Sequence, residues 1–318
     1  MMEKKHSNLP ERFDLLAKKF DLLIDEPLKN HTSFKVGGPA DLLALPKDKQ
    51  ELKQLLKEAS NLDISVTLFG GGTNILITDK GIRGLVIITR CLKSKIRIIE
   101  TNINEKALYV EAGERLSTIC RFAISHSLSG LEFAAGIPGT IGGAIIMNAG
   151  TSTGNISDII QSIDVLNQDT LKIETIEKKD LDFSYRHLNQ SGIIVAAKLT
   201  LKSADPQKIE ATFQHNLNHK NATQPVCFAS AGCFFKNPDN GMSAGELIEK
   251  SELKGMKIND AMVSRLHANY IVNTNNARCE DILLLQQQIQ DTVQKKYQIK
   301  LETEVRMEGE QENKTKQV

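Results

Sequence analysis

Two glycine-dense segments constrain this chain more than any other feature. The first is Gly70-Gly71-Gly72-Thr73-Asn74, directly after the apolar run VTLF. The second is Gly136-Ile137-Pro138-Gly139-Thr140-Ile141-Gly142-Gly143, followed by an apolar stretch and Asn148-Ala149-Gly150. Glycine admits positive φ and removes the side chain that would keep a ligand off the backbone, so successive amides can face a phosphate. Neither segment is a Walker A loop, because no Lys-Ser/Thr pair follows Gly-x4-Gly, and neither matches GxGxxG. Each alone could be a tight turn. Two of this length, one with Ile-Pro held between glycines, fit one extended phosphate-bearing ligand better than two unrelated turns.

The pattern around them predicts mixed α and β structure. Residues 11–24 carry apolar groups at helical spacing up to Pro27, and a second amphipathic helix is expected in KDKQELKQLLKEAS. DLLALP, VTLF and GLVIIT read as strands. From KIRIIE to GIIVAAKLTLKS the chain reads as antiparallel sheet, interrupted by a helix at LSTICRFAISHSL. Helices follow at ADPQKIEATFQHNLNHK and CEDILLLQQQIQDTVQKKY, then a strand at IKLETEVRME. These changes of pattern divide the chain into residues 1–90, an α/β part joined by the strand 300–310; 91–205, rich in β; 206–299, a separate region; and a polar tail, 310–318, expected to be disordered.

Composition narrows the function. Lys plus Arg, 40, nearly balance Asp plus Glu, 39, which argues against nucleic acid and anionic membrane as partners. No stretch approaches the roughly 20 apolar residues that span a bilayer, and the polar start MMEKKHSNLPERFD lacks a signal-peptide core. Five cysteines with no CxxC pair point to free thiols, no structural metal and a cytoplasmic protein. Ser230-Ala231-Gly232-Cys233-Phe234-Phe235-Lys236-Asn237-Pro238 would suit a site wall, although a lone Cys is also a common small core residue. From the residues alone, Tyr185, Arg186, His267, Glu302 and Glu304 receive no role.

Taken in order, NHTSFKVGGPADLLALP, FGGGTNILITDKGIRGLVI, GLEFAAGIPGTIGGAIIMNAG, DFSYR, SAGCFFKNP, AGELIEKSELKG, VSRLHANYIVN and LETEVR resemble the UDP-N-acetylenolpyruvoylglucosamine reductase (MurB) family over residues 30–310. The short spacing after the YR motif resembles the family's shorter, second type. The resemblance implies an α+β, three-domain flavoprotein. It would combine a vanillyl-alcohol-oxidase-like (PCMH-type) FAD-binding fold with a separate α+β substrate domain. It implies noncovalent FAD held by Gly70–Asn74, Gly136–Thr140, Gly142, Gly143 and Asn148, with Ser33 in the same cleft. His31, beside the first matching segment, is read as polar or structural and not as a flavin tether. Carried over by motif, Arg186, Cys233 and Glu304 are catalytic, and Tyr185, Lys236, Asn237 and His267 contact substrate. Cysteine stands at 233 where the family often has serine.

The reaction so implied is NADPH-dependent, FAD-mediated reduction of enolpyruvyl-UDP-GlcNAc to UDP-N-acetylmuramate, a peptidoglycan precursor, by a monomer or weak homo-oligomer. Hydride reaches vinyl carbon C3, and charge spreads from C2 into the carboxylate. Arg186 can offer a guanidinium fork to those oxygens. Glu304 helps only if it carries or shares a proton. Cys233 protonates C2; a thiol titrating near about 8.5 still holds its proton at neutral pH. A related FAD-dependent oxidase or dehydrogenase of a hydroxy acid or sugar would share the glycine segments but not need SAGCFFKNP or LETEVR. A non-catalytic flavin or nucleotide module would tolerate loss of Arg186 and Glu304.

Overall fold

Alternation in Glu105–Glu111 sets the main sheet: Leu108 and Val110 are buried on one side while Tyr109 and Glu111 are only half-buried. In the computed structural model, which describes residues 10–102, 104–239 and 241–310, this strand pairs antiparallel with Ile193–Ser203 and with Arg97–Thr101. Ile193–Ser203 pairs in turn with Ile160–Leu166, and that strand with Ile173–Glu177. The antiparallel sheet expected for the middle of the chain is present. Helices Leu116–Ser125 and Ile141–Ile146 cover its apolar face, burying Ile119, Ile141 and Ile145 against Leu108, Ile163 and Leu199.

The described residues divide into two units. The first takes the chain through Leu23, then Leu42–Gly71 and Gly84–Lys220; the second takes Ile24–Asp41, Gly72–Arg83 and the chain from Asn221. In the first unit, Asp48 caps helix Lys49–Asn61 by accepting the N–H groups of Gln50 and Glu51, and Leu52, Leu55, Leu56 and Ala59 form its buried stripe. Val66–Phe69 runs parallel to Ile82–Ile88, so Gly70 leaves a strand at its carboxyl end. The second unit has its own core of Phe34, Phe234, Phe235, Leu247, Val263, Ile282 and Ile289. It holds a three-stranded antiparallel sheet, Lys257–Ile258, Ala261–Val263 and Ile271–Asn273, with helix Cys279–Tyr297. Asp79 caps that helix, its carboxylate accepting N–H from Cys279 and Glu280 at 3.0 Å each.

Two expected elements come out differently. The first helix ends at Lys19, and Leu23–Pro27 is a strand, because Phe20 is already extended at φ −132° and the run Leu22-Leu23-Ile24 suits either period. The final strand is confined to Arg306–Glu308, parallel to Ile75–Ile77. Residues ahead of it turn to a different neighbour, with Thr303 bridging Phe235. Apart from Glu310, whose N–H reaches Gly81 O at 3.0 Å, the tail expected to be disordered lies outside the described residues, as does the polar start through residue 9. No helix among the described residues is long and apolar enough to cross a membrane, and all five cysteines are free thiols.

Candidate functional site

In the first unit the two glycine segments meet. A Cβ added at Gly70 would stand 2.6 Å from Thr140 Oγ1, and one at Gly71 would stand 3.1 Å from Gly139 Cα. No side chain fits at either glycine, so the first loop meets the second, including the Thr140 hydroxyl, as bare backbone. The second loop is stitched to Ala112–Leu116: Leu116 N–H donates to Gly139 O (3.1 Å), Ile141 N–H to Glu114 O (2.8 Å) and Gly142 N–H to Ala112 O (2.9 Å). Gly139 has φ 111°, which only glycine adopts without strain. Gly136 has φ 70°, Ile137 packs on the first core and Pro138 is exposed. Thr140 caps helix Ile141–Ile146 by accepting Gly143 N–H at 3.4 Å. At Gly143 an added Cβ would meet nothing nearer than Thr140 Oγ1 at 3.6 Å. That is an ordinary contact distance, so a Cβ is tolerated there.

Just past this helix Asn148 adopts φ 38°. Its Nδ2 donates to Ser184 O at 3.0 Å, and its Oδ1 accepts Ser157 N–H at 3.2 Å. The amide thus holds the hairpin Asp182–Ser184/His187–Asn189 at the end next to its two-residue tip, Tyr185-Arg186. Leu188 anchors this hairpin in the first core. Arg186 takes φ 58°, a left-handed backbone that costs a non-glycine residue roughly 1 kcal/mol, and its guanidinium lies 5.2 Å from the Tyr185 ring centroid. Tyr185 itself is exposed.

In the second unit Cys233 and Glu304 are brought onto adjacent segments. Glu304 N–H donates to Phe234 O at 2.9 Å, Lys236 N–H to Glu302 O at 2.8 Å, and Phe235 bridges Thr303. Asn74, at the end of the first glycine segment, holds the same stretch: its Nδ2 donates to Glu304 O at 3.1 Å and its carbonyl accepts Arg306 N–H at 3.1 Å. Gly72, with φ 64°, lies against the His31 carbonyl. Ser33 donates its hydroxyl to Ser230 O at 2.7 Å, and its N–H reaches Gly72 O at 2.9 Å. Thr73 is half-buried. Buried His31 pairs through Nε2 with Glu26 Oε1 at 2.8 Å.

Lys236 ion-pairs with Glu302 at 3.6 Å, while Asn237 Oδ1 accepts the N–H of Ala244 at 3.0 Å and so steadies the start of helix Ala244–Lys250. His267 stands edge-on to Tyr270, and its Nδ1 accepts Asn269 N–H at 3.3 Å. Burial holds its pKa below the ordinary histidine value, and the charge of Lys254 adds to the depression. Burial raises the Cys120 and Cys279 thiols to about 12, so neither is a nucleophile at neutral pH. Arg186 belongs to the first unit; Cys233, Lys236, Asn237, His267 and Glu304 belong to the second.

The family model described as FAD binding domain matches residues 40–174, and that of the UDP-N-acetylenolpyruvoylglucosamine reductase C-terminal domain matches residues 224–308. A UDP-N-acetylenolpyruvoylglucosamine reductase of Desulfosudis oleivorans is 38% identical over 90% of this chain and 94% of its own. The chain belongs to the UDP-N-acetylenolpyruvoylglucosamine reductase family. A second member, from Desulforamulus reducens, is 41% identical over 92% of this chain and 95% of its own. Among solved structures, the family's enzyme from Thermus caldophilus superposes with a TM-score of 0.77 at 31% identity, covering 90% of this chain and 99% of that one. The α+β fold with an FAD-binding domain is therefore the family's own.

The glycine surface fits the cofactor. A diphosphate needs backbone free of side chains, and here Gly70 and Gly71 let the two loops come together while a Cβ at Gly143 would touch only Thr140 Oγ1, at 3.6 Å. Sequence reasoning singled out these glycines. It missed the buried Asn269 and Asn273, each 5% exposed or less, which bond the backbone around Cys233. A signal was present in HANYIVN, where an asparagine set among apolar residues must find partners once buried.

Proposed function

We propose that the protein reduces the enolpyruvyl ether of enolpyruvyl-UDP-GlcNAc to UDP-N-acetylmuramate, using NADPH as the reductant. FAD, when bound, supplies the hydride that reaches C3 of the enolpyruvyl group. The chain's residues handle the charge and the proton. The Arg186 guanidinium orients the pyruvyl carboxylate and stabilises charge that develops there in the transition state. Its left-handed backbone is the kind of strain that persists where position matters more than stability. Cys233 gives its thiol proton to C2, leaving a thiolate that solvent reprotonates. Glu304, carrying a proton, hydrogen-bonds the same enolate oxygens. Gly70, Gly71, Gly139, Thr140 and Gly143 would hold the cofactor's diphosphate, and Tyr185, Lys236, Asn237 and His267 the sugar nucleotide. Five free thiols support a reducing, cytoplasmic setting.

The observation that carries this reading is the register in the second unit. It sets the Cys233-Phe234 backbone against Glu304, so the proposed proton donor and acid lie on hydrogen-bonded neighbours. The test uses the purified holoenzyme. NADPH should bleach the flavin's visible absorption, and enolpyruvyl-UDP-GlcNAc should then restore it with release of UDP-N-acetylmuramate. A flavin that stays reduced on adding this substrate, yet is reduced by a hydroxy acid or sugar, would favour the oxidase reading instead.

A further inference from the structure

The segment carrying Cys233 is gripped by a side chain that no part of the reaction uses. Asn269 is 3% exposed, and its amide addresses one residue at both ends: Oδ1 accepts Phe235 N–H at 2.9 Å, and Nδ2 donates to Phe235 O at 2.8 Å. Its main-chain carbonyl also accepts Phe234 N–H at 2.8 Å. A side-chain amide here supplies the donor and acceptor that a neighbouring strand would supply. The other edge of Phe234–Lys236 is taken by Glu302–Glu304, so the backbone just after Cys233 is held from both sides.

The chain before Cys233 is fixed as well. Ser33 Oγ donates to Ser230 O at 2.7 Å, and Asn273 N–H donates to Ala229 O at 2.8 Å. Asn273 is itself tied down, its Nδ2 donating to Phe34 O at 3.2 Å and its Oδ1 accepting Ala277 N–H at 3.0 Å. Between the two grips lie Ala231, Gly232 and Cys233. Gly232 has φ 85°, and a Cβ added there would meet nothing within 4 Å. Cys233 therefore stands on a short arch with open space beside Gly232, and its feet are set by half-buried Ser33 and by buried Asn269 and Asn273.

We propose that Asn269 is a positioning residue for Cys233, fixing the backbone register that aims the thiol at the carbon it protonates. The inference rests on Cys233 being the proton donor. Proton transfer falls off steeply with misplacement, so the register that this amide holds bears on the rate as well as on the fold. A buried amide could be replaced by a small apolar group with a water filling the gap, which would keep the fold but loosen the register.

The test compares half-reactions in the FAD-loaded enzyme. Asn269→Ala should leave flavin reduction by NADPH within about twofold of the parent. It should slow single-turnover reoxidation by enolpyruvyl-UDP-GlcNAc about 10–100-fold, a loss on the scale of a displaced proton donor. Asn269→Asp is the second variant. Its carboxylate would face the Phe235 carbonyl, and only the protonated acid can donate there as the amide does. Its reoxidation rate should rise as pH falls from 7 towards 5, relative to the parent over the same range.

Equal slowing of both half-reactions by Asn269→Ala, or parent-like reoxidation in it, would overturn the inference. So would an Asn269→Asp profile parallel to the parent's. Cys233→Ala, run alongside, separates the two failures. If Cys233→Ala is slow while Asn269→Ala matches the parent, only the positioning role is wrong. If Cys233→Ala itself reoxidises at the parent rate, the proton-donor assignment has failed and the inference with it.

Discussion

The glycine surface of the first unit and the Cys233–Glu304 arch of the second solve opposite problems. Around Gly70, Gly71 and Gly139 two loops touch because side chains are missing, and main-chain bonds to Ala112 and Glu114 set the second loop. Around Cys233 the backbone is placed by side chains that are present: Ser33, Asn74 and Asn269 donate to carbonyls of Ser230, Glu304 and Phe235. A bare surface suits a ligand recognised through its diphosphate, where the protein's amides do the binding. A clamped segment suits a reacting group that must meet one carbon. The two regions should therefore fail differently. Substitution in the first should cost cofactor, and substitution in the second should cost rate with the cofactor still bound.

The largest effect is expected at Gly143. Gly143→Val adds a branched side chain whose Cβ makes only an ordinary contact, 3.6 Å from Thr140 Oγ1, so it should block a ligand at small cost to the fold. Flavin co-purifying with the variant should fall to background while circular dichroism and thermal unfolding of the apoprotein match those of the parent apoprotein. Gly142 is a poorer test, because its Cβ would stand 2.9 Å from that of Ala112 and would disturb packing as well. A Gly143→Val protein that retains FAD normally would break the contrast between the regions.

Arg186 comes next, since it sits in the first unit yet is assigned to the chemistry. Arg186→Ala should slow reoxidation by the enolpyruvyl substrate by about 10²–10³-fold, roughly 2.7–4 kcal/mol, with flavin reduction by NADPH nearly unchanged. Arg186→Gly should be equally slow but more stable than Arg186→Ala by about 1 kcal/mol, because only glycine relaxes at φ 58°. Chemical denaturation of the two variants measures that difference. Equal stabilities would mean that the hairpin tip stores no strain.

The smallest effect concerns His267. Burial and Lys254 depress its folded pKa, opposed in part by Glu249. The unfolded chain therefore binds a proton more readily, and stability is lost as pH falls below about 6.5, the ordinary histidine value. His267→Gln should flatten the acid side of the stability curve between neutrality and the folded pKa, with no change above pH 7. Parallel curves for parent and variant would show that the imidazole is as accessible to protons folded as unfolded.

How much of this was legible in the sequence followed the range of each interaction. Helix Lys49–Asn61 was readable because its cap, Asp48, and its apolar stripe are local. The overrun of the first helix past Lys19 came from Leu22-Leu23-Ile24, which satisfies either period and follows an extended Phe20. The last strand was overdrawn because residues 302–308 serve two neighbours in turn, Phe234–Lys236 and then Ile75–Ile77, and periodicity does not reveal a change of partner. The glycine segments were visible as places of close approach, but not that they approach each other. The clamp at Phe235 comes from an asparagine 34 residues further along the chain, which composition and spacing do not mark.

The central claim is that Cys233 protonates C2, and single-turnover reoxidation of the NADPH-reduced enzyme tests it most directly. Cys233→Ala should accept hydride from NADPH at the parent rate and then reoxidise about 10²-fold or more slowly, the scale on which a positioned acid contributes. Its product should lose the single configuration at C2, while Cys233→Ser, which keeps a donor in place, retains both useful rate and configuration. A cysteine that only packs gives the opposite ranking, with alanine mild and a buried hydroxyl costing about 1–3 kcal/mol if left unpaired. Reoxidation of Cys233→Ala as fast as the parent, with product of one configuration, would contradict the account.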